Sequence, residues 1–516
     1  MIQQPAVVFN DDAEYGRIQI FSDVQEVTQD NIIEIISSAY LLHLQNAIKE
    51  EELFFYKRGK QPIYTREKAV RPEINEKLVI NQASRILTTH VGYSFGNPIT
   101  YVQRGKVEDD VRKPETTSDE DNKYIAMLNK MMAEQGKAKK DIELANDFMT
   151  CGVGYQMVWK NEKEWQYSPF KLATLNPRTT FVIYKNDAFR EPLLGCSYII
   201  HSDGSLTFTA YSNKKCFVIE NYLSTNNSFR NITETPNILG DIPIVEFEHE
   251  DRMGVFEKAI PILNGANILN SDRLNDVAQH VQSLLWMHNC GLSNDNVDML
   301  YKMGVIATKS NGEGKEAKIT YLSQVLNQSE IQTFADFLYR QVEEITSTPS
   351  WQEASGGSTT GAMQLSNGWQ SLELSAKAVE QRFQEPESRI LRLVAKVIDL
   401  DKRGYTKIKN IDISDIEPHF TRNKNYDLLS KTNSLATMIN TGVDGLWAFQ
   451  TVGLFSDAEQ AYIDSKETID AVQKKNTESP TSNASKSVDG KGGENNEPNA
   501  KVSESLQPSQ MAQVEE

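Results

Sequence analysis

Apolar positions in this chain recur at steps of three and four in some stretches and at steps of two in others, so helices and strands are both expected. Across residues 28–55, Ile32, Ile35, Ile36, Ala39, Leu42, Ala47 and Ile48 fall largely at helical spacing, and Gly59 supplies a stop. Tyr124, Leu128 and Met131 predict another helical stretch, and Ile142, Ala145 and Phe148 a further one. Between residues 154 and 247 the texture changes to short β-rich runs at 155–159, 181–184 and 217–222. Asp203-Gly204, set between runs at 198–201 and 206–211, predicts a hairpin because this dipeptide tolerates positive φ. Residues 241–250 read as one more strand.

A helix is expected from Pro261, with Leu263, Ala266, Leu269, Leu274, Val277, Val281 and Leu285 as its stripe. Asn311-Gly312 predicts a turn between strands near 305–308 and 318–322, and Ile331, Phe334, Leu338, Val342 and Ile345 mark the next helix. The longest pattern then begins. Ala362, Leu365, Trp369, Leu372, Ala376, Val379, Phe383, Pro386, Ile390, Leu393, Val397 and Leu400 alternate in threes and fours without a break. At ~1.5 Å per residue this predicts one helix of roughly 58 Å, with a kink where Pro386 removes a backbone donor. Taken alone, the periodicity favours a coiled-coil dimer over packing within one chain.

After Gly404 a strand-like run at 407–413 precedes helices at 428–439 and 458–463, the latter opened by a Ser456/Glu459 capping box. Residues 106–121 read as an exposed polar loop, and residues 476–516 are too poor in large apolar groups to offset their ordering entropy, so disorder is expected there. With 516 residues, three or four structural units are expected on a prior of ~150 residues each. No basic stretch followed by an apolar run opens the chain, and no segment offers the ~18 apolar residues of a membrane span, so a soluble intracellular product is expected. Cys151, Cys196, Cys216 and Cys290 show no metal or redox spacing and read as buried thiols.

The net charge of −17 argues against a surface that grips nucleic acid, though it suits a conduit whose walls repel phosphate. It serves solubility equally well. No phosphate-binding loop, GxSxG, HExxH or EF-hand pattern is present, so neither an enzyme nor a cofactor is expected. Glu246, Glu248 and Glu250 would share one strand face beside His249 and Asp251; the ordinary reading is a solvated acidic edge, the alternative a divalent metal site. Residues 354–372 contain no charged side chain, and Gly356, Gly357 and Gly361 loosen their first half. That run reads either as a mobile loop or as an ordinary connection between helices.

Several short motifs, taken in order, resemble the portal proteins of long-tailed (siphovirus-type) bacteriophages. They are Phe55-Tyr56-Lys57-Arg58-Gly59-Lys60-Gln61, Asn81, and the most specific, Gly92-Tyr93-Ser94-Phe95-Gly96-Asn97-Pro98-Ile99. Gly152-Val153-Gly154-Tyr155, Asn176-Pro177-Arg178, Pro243-Ile244-Val245-Glu246-Phe247, Arg252 and Ser271-Asp272 follow, then Gly356-Gly357 with Thr360-Gly361-Ala362, and finally residues 417–422 and Asn425. The resemblance runs from about Tyr40 to Lys466, and residues 1–27 match nothing in it.

The resemblance implies an α+β portal-type subunit: a β-rich wing at 1–253, a stem helix at 254–288, a small α/β clip at 289–328, and a second stem helix at 329–346. A tunnel loop at 347–361, a long kinked helix at 362–400, a crown at 401–466 and the disordered tail would complete it. It implies a homo-oligomeric ring, commonly a dodecamer, at the capsid vertex of the virion, assembled in the host cytoplasm. Double-stranded DNA would be packaged and ejected through the ring. Partners would be the terminase large subunit, a head-to-tail connector (adaptor) protein, and the major capsid and scaffolding proteins, with no membrane. Ser355, Gly356, Gly357, Ser358, Thr359 and Thr360 would face DNA. Two alternatives stand beside this: another virion assembly or connector protein, and a metal-dependent nuclease using Glu246, Glu248 and Asp251.

Overall fold

The computed structural model describes residues 16–69, 72–103, 119–161, 168–222, 231–281, 284–288, 290–291, 309–310, 318–322, 328–350, 368–401, 416–422, 428–452, 454–455, 461–466 and 468–469. It is α+β, in two units, residues 1–424 and 425–516. The first unit opens with β1 (Ile20–Ser22), α1 (Ile32–Lys57), α2 (Gln82–Phe95), β2 (Thr100–Gln103), α3 (Asp119–Glu134) and α4 (Lys137–Cys151). Eight strands follow: β3 (Val153–Lys160), β4 (Phe170–Leu175), β5 (Thr180–Lys185), β6 (Pro192–Ile200), β7 (Leu206–Tyr211), β8 (Lys215–Tyr222), β9 (Asn231–Pro236) and β10 (Ile244–Glu248). Then come α5 (Ile260–Val281), β11 (Leu284–His288), β12 (Cys290–Gly291), β13 (Lys309–Ser310), β14 (Lys318–Leu322), α6 (Gln328–Ile345), α7 (Trp369–Leu400) and β15 (Ile416–His419). The second unit holds α8 (Leu428–Asn440) and α9 (Gly445–Val452), with the Phe449 ring stacked on Phe455 at 5.3 Å.

Strands β1-β5-β6-β7-β8-β9 form one sheet, antiparallel except for the parallel β1/β5 pair. Gly204, with φ 80°, turns the expected β6–β7 hairpin, and Asp203 accepts hydrogen bonds from the Ser205 amide and hydroxyl. Ile32, Ile36 and Ala39 of α1 bury against Phe181, Leu194, Phe208 and Phe217 of this sheet. Leu42 and Ile48, expected in the same stripe, are exposed. The smaller sheet β10-β3-β4 packs with α2, α3, α4 and α7 into the largest core. Cys151, Cys196 and Cys216 are buried free thiols; the Cys290 side chain lies outside the described residues.

Two helices differ from their periodicity. Residues 284–288 form a strand paired with 318–322, so α5 stops at Val281. Helix α6 buries Ala335 and Val342, while Phe334, Phe337 and Ile345 are exposed. Along α5, Asn267, Ser271 and Asn275 accept the backbone N–H groups of Ile80 (3.0 Å), Leu78 (2.9 Å) and Glu76 (2.6 Å). Four helical residues rise ~6.0 Å and two extended residues ~6.6 Å, so the i, i+4, i+8 polar row keeps register with every second residue of 76–80. Asn267 also donates to Gln61.

Helix α7 is described from Trp369, with Gly368 at its N-cap at φ 82°; Ala362 and Leu365, expected in the same stripe, lie outside the described residues. Leu372, Ala376, Val379, Phe383, Ile390, Leu393 and Val397 are buried as patterned, but within this chain's own core. Trp369 and Leu400 are exposed, but from Leu372 to Val397 the stripe is spent inside one subunit and is not left free for a coiled-coil partner. Pro386 stands inside the helix, and Glu387 beside it is fully buried. Glu387 accepts from Tyr101 (2.5 Å) and pairs with Lys137 (3.0 Å), which also binds Asp141 (2.5 Å).

A second set of buried charges joins α1 to the turn after β10. Arg17 pairs with Glu257 at 2.5 Å, and the guanidinium Nε of Arg252 donates to the Arg17 carbonyl at 2.7 Å. Gly152, φ 80°, lies so close that a Cβ there would stand 2.2 Å from the Arg252 carbonyl. Glu50 of α1 is buried beside these arginines with one carboxyl oxygen lacking a hydrogen-bond partner. Burial pushes its pKa up to about 8, against the pull of Arg17 and Arg252.

Two outcomes are expected. Asn267→Ala leaves the Ile80 amide without its acceptor and Gln61 without its donor, and should destabilise the protein by ~1–3 kcal/mol in chemical denaturation. Glu50 is held protonated in the folded state above the usual carboxylate range, so its contribution is fully present below the unfolded pKa of ~4.3 and is lost as pH rises through about 8. Glu50→Gln should flatten the decline in stability between pH ~5 and pH ~8 seen in urea titrations. An unchanged slope in the variant would show that Glu50 does not hold its proton.

Candidate functional site

The acidic strand resolves first. Glu246 is buried, accepting from Tyr155 (2.7 Å) and Tyr184 (2.6 Å) and pairing with Arg252 (2.8 Å). Arg252 also binds Glu248. These donors hold the Glu246 carboxyl below its ordinary value despite complete burial, while burial and the neighbouring Glu246 push Glu248 up to about 7. The expected solvated edge is thus a buried ion cluster, because Arg252 in the following turn folds back onto the strand. Glu250 lies beyond the strand end, and Asp251 pairs with Lys258 at 3.2 Å. Among the described residues no group of three His, Cys, Asp or Glu converges to hold a metal. Glu246 and Glu248 are brought together, but on an arginine, and Asp251 is not.

The uncharged segment is different. Ser355, Gly356, Gly357, Ser358, Thr359 and Thr360 lie outside the described residues, but the chain on either side is defined. Helix α6 ends at Ile345, and Ser347 takes a positive φ of 51°. The Thr348 amide turns back to the Glu343 carbonyl at 2.9 Å, and the hydroxyls of Thr346 and Thr348 meet at 2.9 Å. On the far side, Gly368 starts α7 so close to this turn that a Cβ built on it would sit 3.6 Å from the Pro349 Cα. The two ends of residues 351–367 therefore meet at a closed base.

One helix holds both ends. Arg85 of α2 binds Glu343 through Nη1 at 2.9 Å and donates through Nη2 to the Pro349 carbonyl at 2.7 Å. His90, buried one turn further on, places Nε2 2.8 Å from the Thr346 carbonyl, and burial keeps the ring's pKa below its ordinary value. Neutral imidazole can donate there from Nε2. At the other end Tyr93 donates to Glu373 of α7 at 2.5 Å and sets its ring 6.0 Å from Trp369. Glu373 also meets Arg422 at 3.2 Å, and Arg422 binds Glu380 as well. Arg85, His90 and Glu343 carried no sequence signal; Tyr93 did, inside the motif at 92–99.

Two other described motif residues serve as caps. Asn81 caps α2 by accepting from the Ser84 amide at 3.3 Å, and Asn176 caps the turn at Pro177–Thr179, accepting from the Arg178 amide at 3.1 Å. Arg178 pairs with Glu51 and lies over the Phe54 ring. No described helix is long and apolar enough to cross a membrane.

No match emerges from a comparison with curated proteins. Against known protein families, residues 40–468 match the one described as "Phage portal protein, SPP1 Gp6-like". That span takes in α2, the turn after α6, the whole of α7 and every motif of the resemblance. The family is structural rather than enzymatic, and its members form oligomeric rings that work with capsid and DNA at the vertex of a virus particle. Matched over most of its length, this chain belongs to the phage portal protein family.

Proposed function

We propose that the ring formed by this chain, a dodecamer in the reading adopted here, surrounds a channel through which double-stranded DNA is packaged and ejected. Ser355, Gly356, Gly357, Ser358, Thr359 and Thr360 face the DNA from the segment that begins and ends beside α2. The closed base at Pro349 and Gly368 carries this reading, since it makes residues 351–367 leave and rejoin the folded unit at one point. From Ala354 onward that segment carries no charged side chain, so it can touch the phosphate backbone without ion pairs that would resist sliding.

In the same reading, residues 1–253 are the wing, α5 and α6 belong to the stem, and residues 289–328 form the clip, where the terminase large subunit docks. A head-to-tail connector (adaptor) protein also docks on the ring. Helix α7 bends at Pro386, residues 401–466 form the crown, and the outer surface meets major capsid and scaffolding proteins. Assembly takes place in the host cytoplasm. With no phosphate-binding loop in its sequence, the chain leaves ATP hydrolysis to the terminase.

Heads assembled with Lys at Ser355, Ser358 and Thr359 should package DNA more slowly, because each added phosphate contact strengthens electrostatic retention. Gly356→Val with Gly357→Val should shorten the protected genome by restricting the backbone angles available there. Ring yield, followed by native mass spectrometry, should be unchanged in both. Normal packaging by both sets would show that the segment does not act on DNA, and failure of the rings to form would make it a structural connection.

A further inference from the structure

The most specific motif in the sequence, residues 92–99, has no part in the function proposed above, yet Tyr93 within it contacts one end of the segment at 351–367 while Arg85 and His90 contact the other. We propose that Arg85 and Tyr93 are positioning residues, which fix the two ends of that segment to α2 rather than leaving them set by the helices the segment joins. The consequence for DNA rests on the reading of 351–367 given above; the anchoring itself does not.

The geometry favours anchoring over general packing. Arg85 uses two different nitrogens of one planar fork, binding the Glu343 carboxylate on the last turn of α6 and the Pro349 carbonyl beyond its end. Nη1 also reaches Gln82 on the same helix at 3.3 Å, while the third nitrogen, Nε, is buried without a partner, so the orientation that makes these contacts carries a cost elsewhere. A lysine at this position would keep the charge and the ion pair, but its single ammonium cannot reproduce the fork. Tyr93 works similarly at the exit. Its hydroxyl reaches Glu373, one turn into α7, and its ring lies beside Trp369, the first residue of that helix. Arg85 and Tyr93 stand eight positions apart on one helix, about 12 Å along its axis, and span the base of the segment.

Amide hydrogen exchange on assembled rings of the full chain tests this, using Arg85→Met, Arg85→Lys and Tyr93→Phe, with packaged DNA length measured on the same preparations. Arg85→Met should speed exchange at residues 346–348 and 350 by about tenfold, while the amides of α6 from Ala335 to Val342 keep wild-type rates. Arg85→Lys should show the same local rise with its melting midpoint shifted by no more than about 2 °C, a divergence that a merely structural residue would not produce. Tyr93→Phe should raise exchange at residues 370–373 instead. Unchanged exchange at both ends overturns the proposal, as does a rise spread equally through α6. A local rise accompanied by shortened packaged DNA supports both readings. The same rise with DNA of normal length leaves the anchoring in place and removes the DNA-facing role of 351–367.

Discussion

The first unit converges on the ring of Phe383. It lies 4.9 Å from Phe95 of α2, 5.9 Å from Phe148 of α4, 4.5 Å from Phe247 of β10 and 6.0 Å from Phe420 beyond β15. Each tilted or edge-on contact is worth ~0.5–1.5 kcal/mol beyond the area buried, and here one side chain makes four of them to four separate pieces of chain. The position of α7 is thereby fixed relative to α2. Because α2 also carries Arg85, His90 and Tyr93, the base of the segment at 351–367 inherits its location from this aromatic cluster.

One turn beyond Phe383, the same helix does something energetically unfavourable. Pro386 cannot donate to the Arg382 carbonyl, and Glu387 brings a carboxylate into the core. Tyr101 and Lys137 compensate, and Asp141, whose pKa is raised by burial, shares the lysine. Removing one member of such a group leaves a buried charge unpaired, which costs more than the intact group contributes. The cluster therefore selects one register of α7 against α4 and β2 where apolar packing alone would permit several.

How much of this was legible depended on the range of the interaction. Asp203-Gly204 fixes its hairpin through local backbone preference, and the strands at 153–160, 180–185 and 215–222 follow from β-rich runs, so both were readable. The stripe of α7 was readable as a helix but not as to its partner, since periodicity is identical whether the buried face meets its own chain or another. Residues 284–288 continued an apolar helical pattern yet pair with 318–322, because a strand partner distant in sequence overrides local spacing. Glu246 looked like a solvated edge because nothing in a run of alternating acids announces that Arg252, Tyr155 and Tyr184 will close over it. At the candidate site the uncharged run and Tyr93 were visible, but Arg85 meets Pro349 across 264 positions, and no local signal carries such a pairing.

The motif at 92–99 shows why a short run can be more specific to a family than any longer helix. Phe95 belongs to the cluster around Phe383, whereas Tyr93, two positions earlier and turned to another side of α2, reaches Glu373. A substitution that suits one of these tasks rarely suits the other, since 100° per residue sends neighbouring side chains to different surroundings. Ring symmetry sharpens the constraint. In a closed ring of identical chains every copy presents the same base, so an error in the angle between α2 and α7 is repeated around the axis instead of averaging out. Tying both ends of 351–367 to one helix, itself locked to α7 through Phe95 and Phe383, limits that error to the play within a single packed cluster.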